Sequence, residues 1–352
     1  MKKKISIHDL AKQLGVSAAT ISYVLNGKAA ERRISPAVEK KILDHVEESG
    51  YQINRIAKSL RTGKSKIIGM LVEDISDPFF AGISRIIEAY AHKHDYKIFH
   101  ASTENNVRIT RELIQVFRGT QVDGYIIAPP PGIETDIEAL MEDNLPVILF
   151  DRFFPGLKTH NVVVDNFGGA HLAIEHLFSN HYKQPGFVTL DSEQTQMKDR
   201  LAGYEKAVSE NGVEPVVLKI PYGMEREKEV VKRIDDFLQQ QPQLDSLLFG
   251  TNYLAISGLQ AIHNRHLKVP EDIAIVGFDD NTHFSLFSPS ISAVAQPVEA
   301  ISETVIDALM KCLNKPGKLL SKETIVLPTK LVVRQSSLPA TEMKKQTLSV
   351  TK

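Results

Sequence analysis

A single cysteine, Cys312, stands in 352 residues, and there is no tryptophan. One cysteine cannot close an internal disulfide, which suits a reducing cytosol better than a secreted scaffold. Long apolar runs are missing too. Nothing approaches the ~18 consecutive apolar residues of a membrane span. The basic start, Met1-Lys2-Lys3-Lys4, leads to His8, Asp9 and Lys12 instead of the apolar stretch of an export signal, so no membrane association is expected. Three nucleotide-binding or catalytic loops are also absent: Gly-x-Gly-x-x-Gly, the P-loop and Gly-x-Ser-x-Gly. The twelve histidines lack ligand spacing. His92 and His94 lie two apart on a predicted helix and do not share a face, and His263 and His266 have no evident third ligand. Neither a metal nor a cofactor is expected.

What is present is uneven. Hydrophobic content of 42% and charged content of 24% are those of a globular protein. The net charge of −1 hides a basic head on an acidic body. Residues 1–64 hold 13 Lys and Arg against 6 Asp and Glu, and the remainder holds 29 against 37. A basic head points to a polyanionic partner, although surface charge can also cluster by chance.

The head carries the most specific pattern, Ser6 to Asn26. Ser6 is a candidate helix cap with Asp9 three positions on. Ile7, Leu10, Ala11 and Leu14 recur at helical spacing, and Gly15 follows where a left-handed cap is wanted. Ser17 caps a second helix whose Ile21, Val24 and Leu25 face the same way. This is a helix-turn-helix, whose second helix would enter a major groove. Taken alone, the pattern also fits an ordinary αα-hairpin. Its outward residues favour DNA. Ala18 and Ala19 are small enough for close approach to base edges, and Ser17, Thr20 and Ser22 offer hydroxyls to phosphates. A polar loop, Lys28–Arg33, precedes a third helix begun by Ser35-Pro36, striped by Val38, Ile42 and Val46, and ended by Gly50.

From Lys66 onward short apolar runs alternate with helical patterns, starting with Ile67-Ile68-Gly69-Met70-Leu71-Val72. Such alternation predicts parallel sheets with helices on both faces. It restarts after about residue 165, giving two similar α/β halves. Open α/β sheets bind ligands beyond the carboxyl ends of their strands. There the sequence places Asp74–Phe80, Asp151-Arg152, Asn252 and Asp279-Asp280.

Ile7-x-Asp9-Leu10-Ala11 followed by Gly15-Val16-Ser17-x-Ala19-Thr20-Ile21-Ser22-x-Val24-Leu25-Asn26 resembles the N-terminus of the lac/gal repressor family. The resemblance extends over nearly the whole chain. It implies an all-α helix-turn-helix headpiece (1–53), then a hinge helix and linker (54–65). An α/β two-lobed, periplasmic-binding-protein-like body follows. Its N-terminal lobe is 66–162 plus 293–325 and its C-terminal lobe 163–292 plus 326–336, with a polar tail from 337 to 352. By the same resemblance the DNA-binding residues are Ser17, Ala18, Ala19, Thr20, Ser22, Tyr23 and Asn26 in the head. Asn54, Arg55, Ala57, Lys58 and Leu60 join them from the hinge, with Leu60 as a minor-groove wedge. Without the head before it, 54–61 would read as a basic linker. Tyr23 stands where many relatives carry a guanine-reading arginine, and the loop after Asn26 is longer than usual.

The resemblance further implies an effector cleft lined by Phe79, Phe80, Asp151, Arg200, Asn252 and Asp279. Many relatives have an acid after the asparagine, where this chain has Tyr253. Carboxylates, an amide and an arginine beside aromatic faces suit a sugar or sugar derivative. Each residue also has a plainer use, as a helix cap or an ion-pair partner. The expected function is a cytoplasmic, nucleoid-associated transcriptional regulator, a repressor. It would not be an enzyme. It binds pseudo-palindromic double-stranded operator DNA, and a small carbohydrate switches it. The tail lacks leucine heptads, so a homodimer is expected. Two alternatives share parts of the pattern: a sugar-modifying enzyme with a DNA-binding head, and a plain sugar-binding protein. The first lacks a recognisable phosphate loop. The second has no use for a basic helix-turn-helix.

Overall fold

The computed structural model describes residues 5–51, 63–223, 227–314 and 323–339. The chain divides into two compact units, 1–65 and 66–352.

The head has three helices, α1 (Ile7–Leu14), α2 (Ala18–Leu25) and α3 (Pro36–Ser49). Each begins on a serine. Ser6 Oγ accepts from the Asp9 N–H while the Ser6 N–H donates to the Asp9 carboxylate at 2.9 Å, a complete capping box with aspartate in the glutamate's place. Ser17 Oγ accepts from the Thr20 N–H at 3.0 Å, and Ser35 Oγ from Val38. Gly15 (φ +69°) and Gly50 (φ +62°) end α1 and α3 in the left-handed region. Leu10, Leu14, Ile21, Val24, Ala29 and Ile42 form the core, with Tyr51 packed against it. That is a small core, so the unit is only modestly stable.

The long loop after α2 is itself ordered. The Arg32 N–H donates to Lys28 O at 3.2 Å and the Ile34 N–H to Ala29 O at 2.9 Å. Ala29 is 2% exposed and plugs the loop into the head core.

The body has two six-stranded sheets. The first contains β1 (Ile67–Val72), β2 (Lys97–Ser102), β3 (Gly124–Ile127), β4 (Val147–Phe150), β5 (His160–Val164) and, from the far end of the chain, β11 (Thr324–Leu327), in the order β11-β5-β4-β3-β1-β2. The second contains β6 (Pro185–Asp191), β7 (Val216–Pro221), β8 (Ser246–Phe249), β9 (Ala274–Phe278), β10 (Ser292–Ala295) and β12 (Lys330–Val332), in the order β12-β10-β9-β8-β6-β7. All pairs are parallel except β10–β12.

Parallel strands need crossover helices. In the first lobe α4 (Pro78–Lys93) covers one face together with a late helix, α11 (Val298–Asn314), while α5 (Val107–Gly119) and α6 (Glu134–Glu142) cover the other. In the second, α7 (Asn166–Ser179) and most of α8 (Thr195–Glu210) pack one face, and α9 (Glu227–Gln240) and α10 (Asn252–Asn264) the other. Strand residues alternate between the two layers: Ile68, Met70 and Val72 face α4 and α11, whereas Leu71 faces α5 and α6. Burial on both faces explains why these strands read as continuous apolar runs.

Four expected boundaries shift. The chain changes lobes after Val164, Ala295 and Leu327, a few residues beyond each expected crossing, because β5, β10 and β11 each finish pairing within one sheet. The expected tail from 337 also begins too early. Ser336, Ser337 and Leu338 are buried, and Ser337 Oγ lies 2.8 Å from His176 Nε2 and 2.7 Å from Ser292 Oγ. Those bonds sew the chain end to the second sheet. Short polar residues look like tail in sequence yet satisfy buried partners here.

Candidate functional site

A cleft opens where the carboxyl ends of both sheets face each other. The segment after β1 brings Glu73, Asp74, Asp77, Phe79 and Phe80, and the end of β4 brings Asp151 and Arg152. From the second lobe come Gln194, Gln196, Met197 and Arg200 after β6, Tyr222 after β7, Thr251 and Tyr253 after β8, Asp279 after β9 and Gln296 after β10. The cleft has a volume of about 120 Å³.

Two aspartates are aimed by strained backbone. Asp151 (φ +67°) and Asp279 (φ +71°) follow Phe150 and Phe278 directly at strand ends. The left-handed turn there costs free energy for a residue with a Cβ and is held by the packing around it.

Each aspartate has an arginine. Arg200 is 1% exposed. Its Nε donates to Asn166 Oδ1 at 2.8 Å and its Nη1 to Gly250 O at 2.6 Å, with Asp279 Oδ2 3.6 Å away. Its guanidinium carbon lies 3.6 Å from the centroid of Phe278. Gln296 donates to the other oxygen of Asp279. Arg152 works differently. Its Nη2 donates to Glu73 Oε2 at 2.8 Å and its Nη1 crosses to Gln194 Oε1 at 3.1 Å, while Asp151 Oδ2 lies 3.8 Å from its Nε. Gln194 answers by donating to Asn105 Oδ1 at 2.9 Å. The lobes are therefore bonded to each other through the cleft wall.

Electrostatically the cleft is acidic. Five carboxylates (Glu73, Asp74, Asp77, Asp151, Asp279) line it against two guanidinium groups, both already engaged. Burial, together with facing Asp279 and Glu73, pushes Asp77 up to about 6, against the opposing Phe79 N–H and Asn252 amide. Burial likewise pushes Asp151 up to about 6, although Arg152 and Arg200 pull it down. The Tyr222 and Tyr253 hydroxyls are raised well above their ordinary value by burial and then by Glu73. Three polar atoms on the lining residues are buried without a hydrogen-bond partner, Arg152 Nε, Gln196 Oε1 and Gln296 Oε1, while the Tyr222 hydroxyl faces Glu73. Buried polar atoms are normally paired, and these three are left with bonding capacity turned towards the cleft.

The structure thus brings Phe79, Phe80, Asp151, Arg200 and Asp279 to one cleft. Asn252 stands behind its wall, donating to Asp77 Oδ2 at 3.4 Å. Asp77 lies within the expected tract Asp74–Phe80, whereas Glu73, Gln194, Gln196, Tyr222 and Gln296 line the cleft outside the expected set. The strand-end rule, applied to β6, β7 and β10 as it was to β4 and β9, would have pointed to the last four.

On the head, Ser17, Ala19 and Asn26 are exposed, and Ala18, Thr20, Ser22 and Tyr23 are half-buried. Ser17 and Thr20 share a hydroxyl bond of 2.8 Å, and the Asn26 amide donates to Ser22 O at 2.6 Å. The hinge residues Asn54, Arg55, Ala57, Lys58 and Leu60 lie outside the described residues. Among those described, His171, Glu175 and Glu210 place ligand atoms within 4.8 Å of one another. They are spoken for: Glu210 bonds His171 and Lys206, and Glu175 accepts from Asn211. No described helix is long and apolar enough to cross a membrane.

Comparison with known proteins agrees across the chain. A model of bacterial regulatory proteins of the lacI family matches residues 6–54, and a periplasmic binding protein-like domain matches residues 174–337. The HTH-type transcriptional regulator RegA of Clostridium saccharobutylicum is 30% identical over 336 residues, 95% of this chain and 99% of that protein. The fold is that of the lac repressor dimer bound to operator and the anti-inducer ONPF, with a TM-score of 0.82 at 21% identity over 96% of this chain and 100% of that one. A LacI family transcriptional regulator from Enterococcus faecium with bound ribose gives 0.68 at 24% identity over 78% of this chain and 99% of that one. Helix-turn-helix head, two-lobed body and matched relatives converge: the chain belongs to the lacI family of bacterial regulatory proteins and is a DNA-binding transcriptional regulator.

Proposed function

We propose that this regulator is a cytoplasmic homodimeric repressor switched by a neutral sugar held between the lobes. It reads a pseudo-palindromic operator through Ser17, Ala18, Ala19, Thr20, Ser22, Tyr23 and Asn26, with the hinge residues through Leu60 engaging the centre. The observation that carries the ligand class is the charge of the cleft. Carboxylates exceed guanidinium groups there by three, and both arginines are committed to protein partners. A phosphate or carboxylate would find only the Arg152 Nε–H as an unpaired cationic donor and would enter against an excess of carboxylates. Hydroxyls suit the site, since they can donate to the aspartates and to the unpaired Gln196 and Gln296 oxygens. Phe79 and Phe80 supply the apolar wall. The relative solved with ribose supports the same class. The acids are held by arginines and amides, an arrangement for binding rather than for a reaction.

By linkage, a ligand that weakens operator binding must itself bind the operator-bound form more weakly by the same factor. Thermal unfolding of the full chain against neutral sugars, sugar phosphates and purines tests the ligand class. A ligand at 100 times its Kd stabilises by ~2.7 kcal/mol. A neutral sugar should raise the Tm and change operator affinity in a mobility-shift titration. A response confined to phosphorylated sugars or purines would overturn the assignment.

A further inference from the structure

Helix α2 lacks the side chains that grip a base edge with two hydrogen bonds. Its eight residues, AATISYVL, include no arginine, lysine, asparagine or glutamine. Arginine pairing with guanine O6 and N7 is the commonest specific contact in a major groove. On its own, α2 would discriminate bases through methyl packing and hydroxyls.

The loop after α2 brings a guanidinium to it. The Lys28 N–H donates to Tyr23 O at 2.9 Å across left-handed Gly27, which ends α2 and starts the loop beside Tyr23. The Lys28–Arg32 and Ala29–Ile34 backbone bonds and buried Ala29 hold that path. The result sets the Arg32 guanidinium carbon 4.7 Å from the centroid of the Tyr23 ring. Arg32 is exposed, and among the described residues its guanidinium has no hydrogen-bond or ion-pair partner; its neighbour Glu31 makes no ion pair with it. Lys28 and Arg33 are exposed too, but neither rests on a ring.

A guanidinium on an aromatic face is steadied by cation–π attraction and keeps its N–H donors for other partners. The planar fork then loses less freedom on pairing than a free surface arginine would. We propose that Arg32 is a specificity-determining residue that pairs with a guanine in each operator half-site, with Tyr23 as its platform. The inference rests on the head reading DNA. It moves the base contact at this point from Tyr23 to the loop.

The test is selection of the full chain on randomised duplexes, followed by titrations on the selected site and its single-base variants at several salt concentrations. The wild type should select a motif containing guanine at symmetry-related positions. Arg32→Ala should lose roughly ten- to a hundredfold of the preference at that position, within the range of a bidentate base contact, and keep the rest of the motif. Arg32→Lys should not restore it, because an ammonium cannot present the fork. Tyr23→Phe, which keeps the ring under Arg32, should retain the guanine preference at that position, and Tyr23→Leu should lose part of it. Unchanged thermal unfolding of the variants separates these effects from misfolding. If Arg32→Ala weakens all sequences equally and lowers the salt slope by about one, Arg32 meets a phosphate and the proposal fails. An altered motif in Tyr23→Phe would return the contact to the tyrosine hydroxyl. A wild-type chain that selects no motif would instead sink the DNA-reading role of the head itself.

Discussion

In the first lobe β11 runs parallel to β5, while in the second β12 runs antiparallel to β10. Otherwise the strand orders correspond one to one, and each lobe ends its fourth strand in Phe-Asp with the aspartate left-handed. The lobes part company over the cation that meets that aspartate. Asp279 is met from inside its own lobe by Arg200, which is anchored to Asn166, Gly250 and Phe278. Asp151 is met by its chain neighbour Arg152, which spends its other donors on Glu73 and on Gln194 across the cleft. One arginine is a strut within a lobe and the other a tie between lobes. A repeated backbone plan supplies equivalent aspartates; where each cation is tethered decides whether the site is braced or hinged.

That contrast can be broken most severely at the strut. Arg200→Ala leaves Asp279 buried without its cation and should destabilise the body by ~3–5 kcal/mol, seen as a lower midpoint in urea. A loss within 1 kcal/mol would mean that Gln296 alone suffices. Next in size, Gly203→Ala places a Cβ 2.2 Å from the Phe167 carbonyl oxygen, where α7 and α8 pack backbone to backbone. Overpacking of this kind costs ~1–3 kcal/mol, and the second lobe should lose hydrogen-exchange protection before the first.

Cutting the tie should act differently. Arg152→Gln removes the Glu73 and Gln194 bonds and is expected to cost less stability than Arg200→Ala while opening the ligand-free cleft. Small-angle scattering of the full chain checks this, and an unchanged profile would assign the cleft angle to other contacts. The smallest effect concerns pH. Asp77 titrates at about 6 in the folded chain, above its ordinary value of 3.8. Between those values the folded state binds the extra proton, so this group's contribution to stability falls as pH rises through the window and stays low above it. Asp77→Asn should therefore raise stability at pH 7.5, change it little at pH 4, and flatten the slope between. A steeper slope in the variant would contradict the assigned direction.

Much of this plan is legible in local sequence. Helix starts at Ser6, Ser17 and Ser35, and ends at Gly15 and Gly50, follow from side-chain and φ requirements that concern a few neighbouring residues. Apolar runs mark the strands because both faces of a parallel sheet are covered. Asp151 and Asp279 are visible because polar residues after such runs stand at the ligand end of an open sheet. Gln194 and Gln296 also follow strand ends, but an amide in a loop is commonplace until its partners are known.

The sequence by itself determined the order of elements, the basic head and acidic body, and the residues at the strand ends. Caps, turns and hydrophobic period are set by interactions over a few positions. Tertiary structure alone decided where the chain crosses between lobes, that Ser337 is buried against Ser292 and His176, and that Arg200 braces while Arg152 ties. It also decided that Arg32 rests on Tyr23. Each of these depends on groups brought together by packing and non-local hydrogen bonds, whose partners cannot be read from the neighbouring letters.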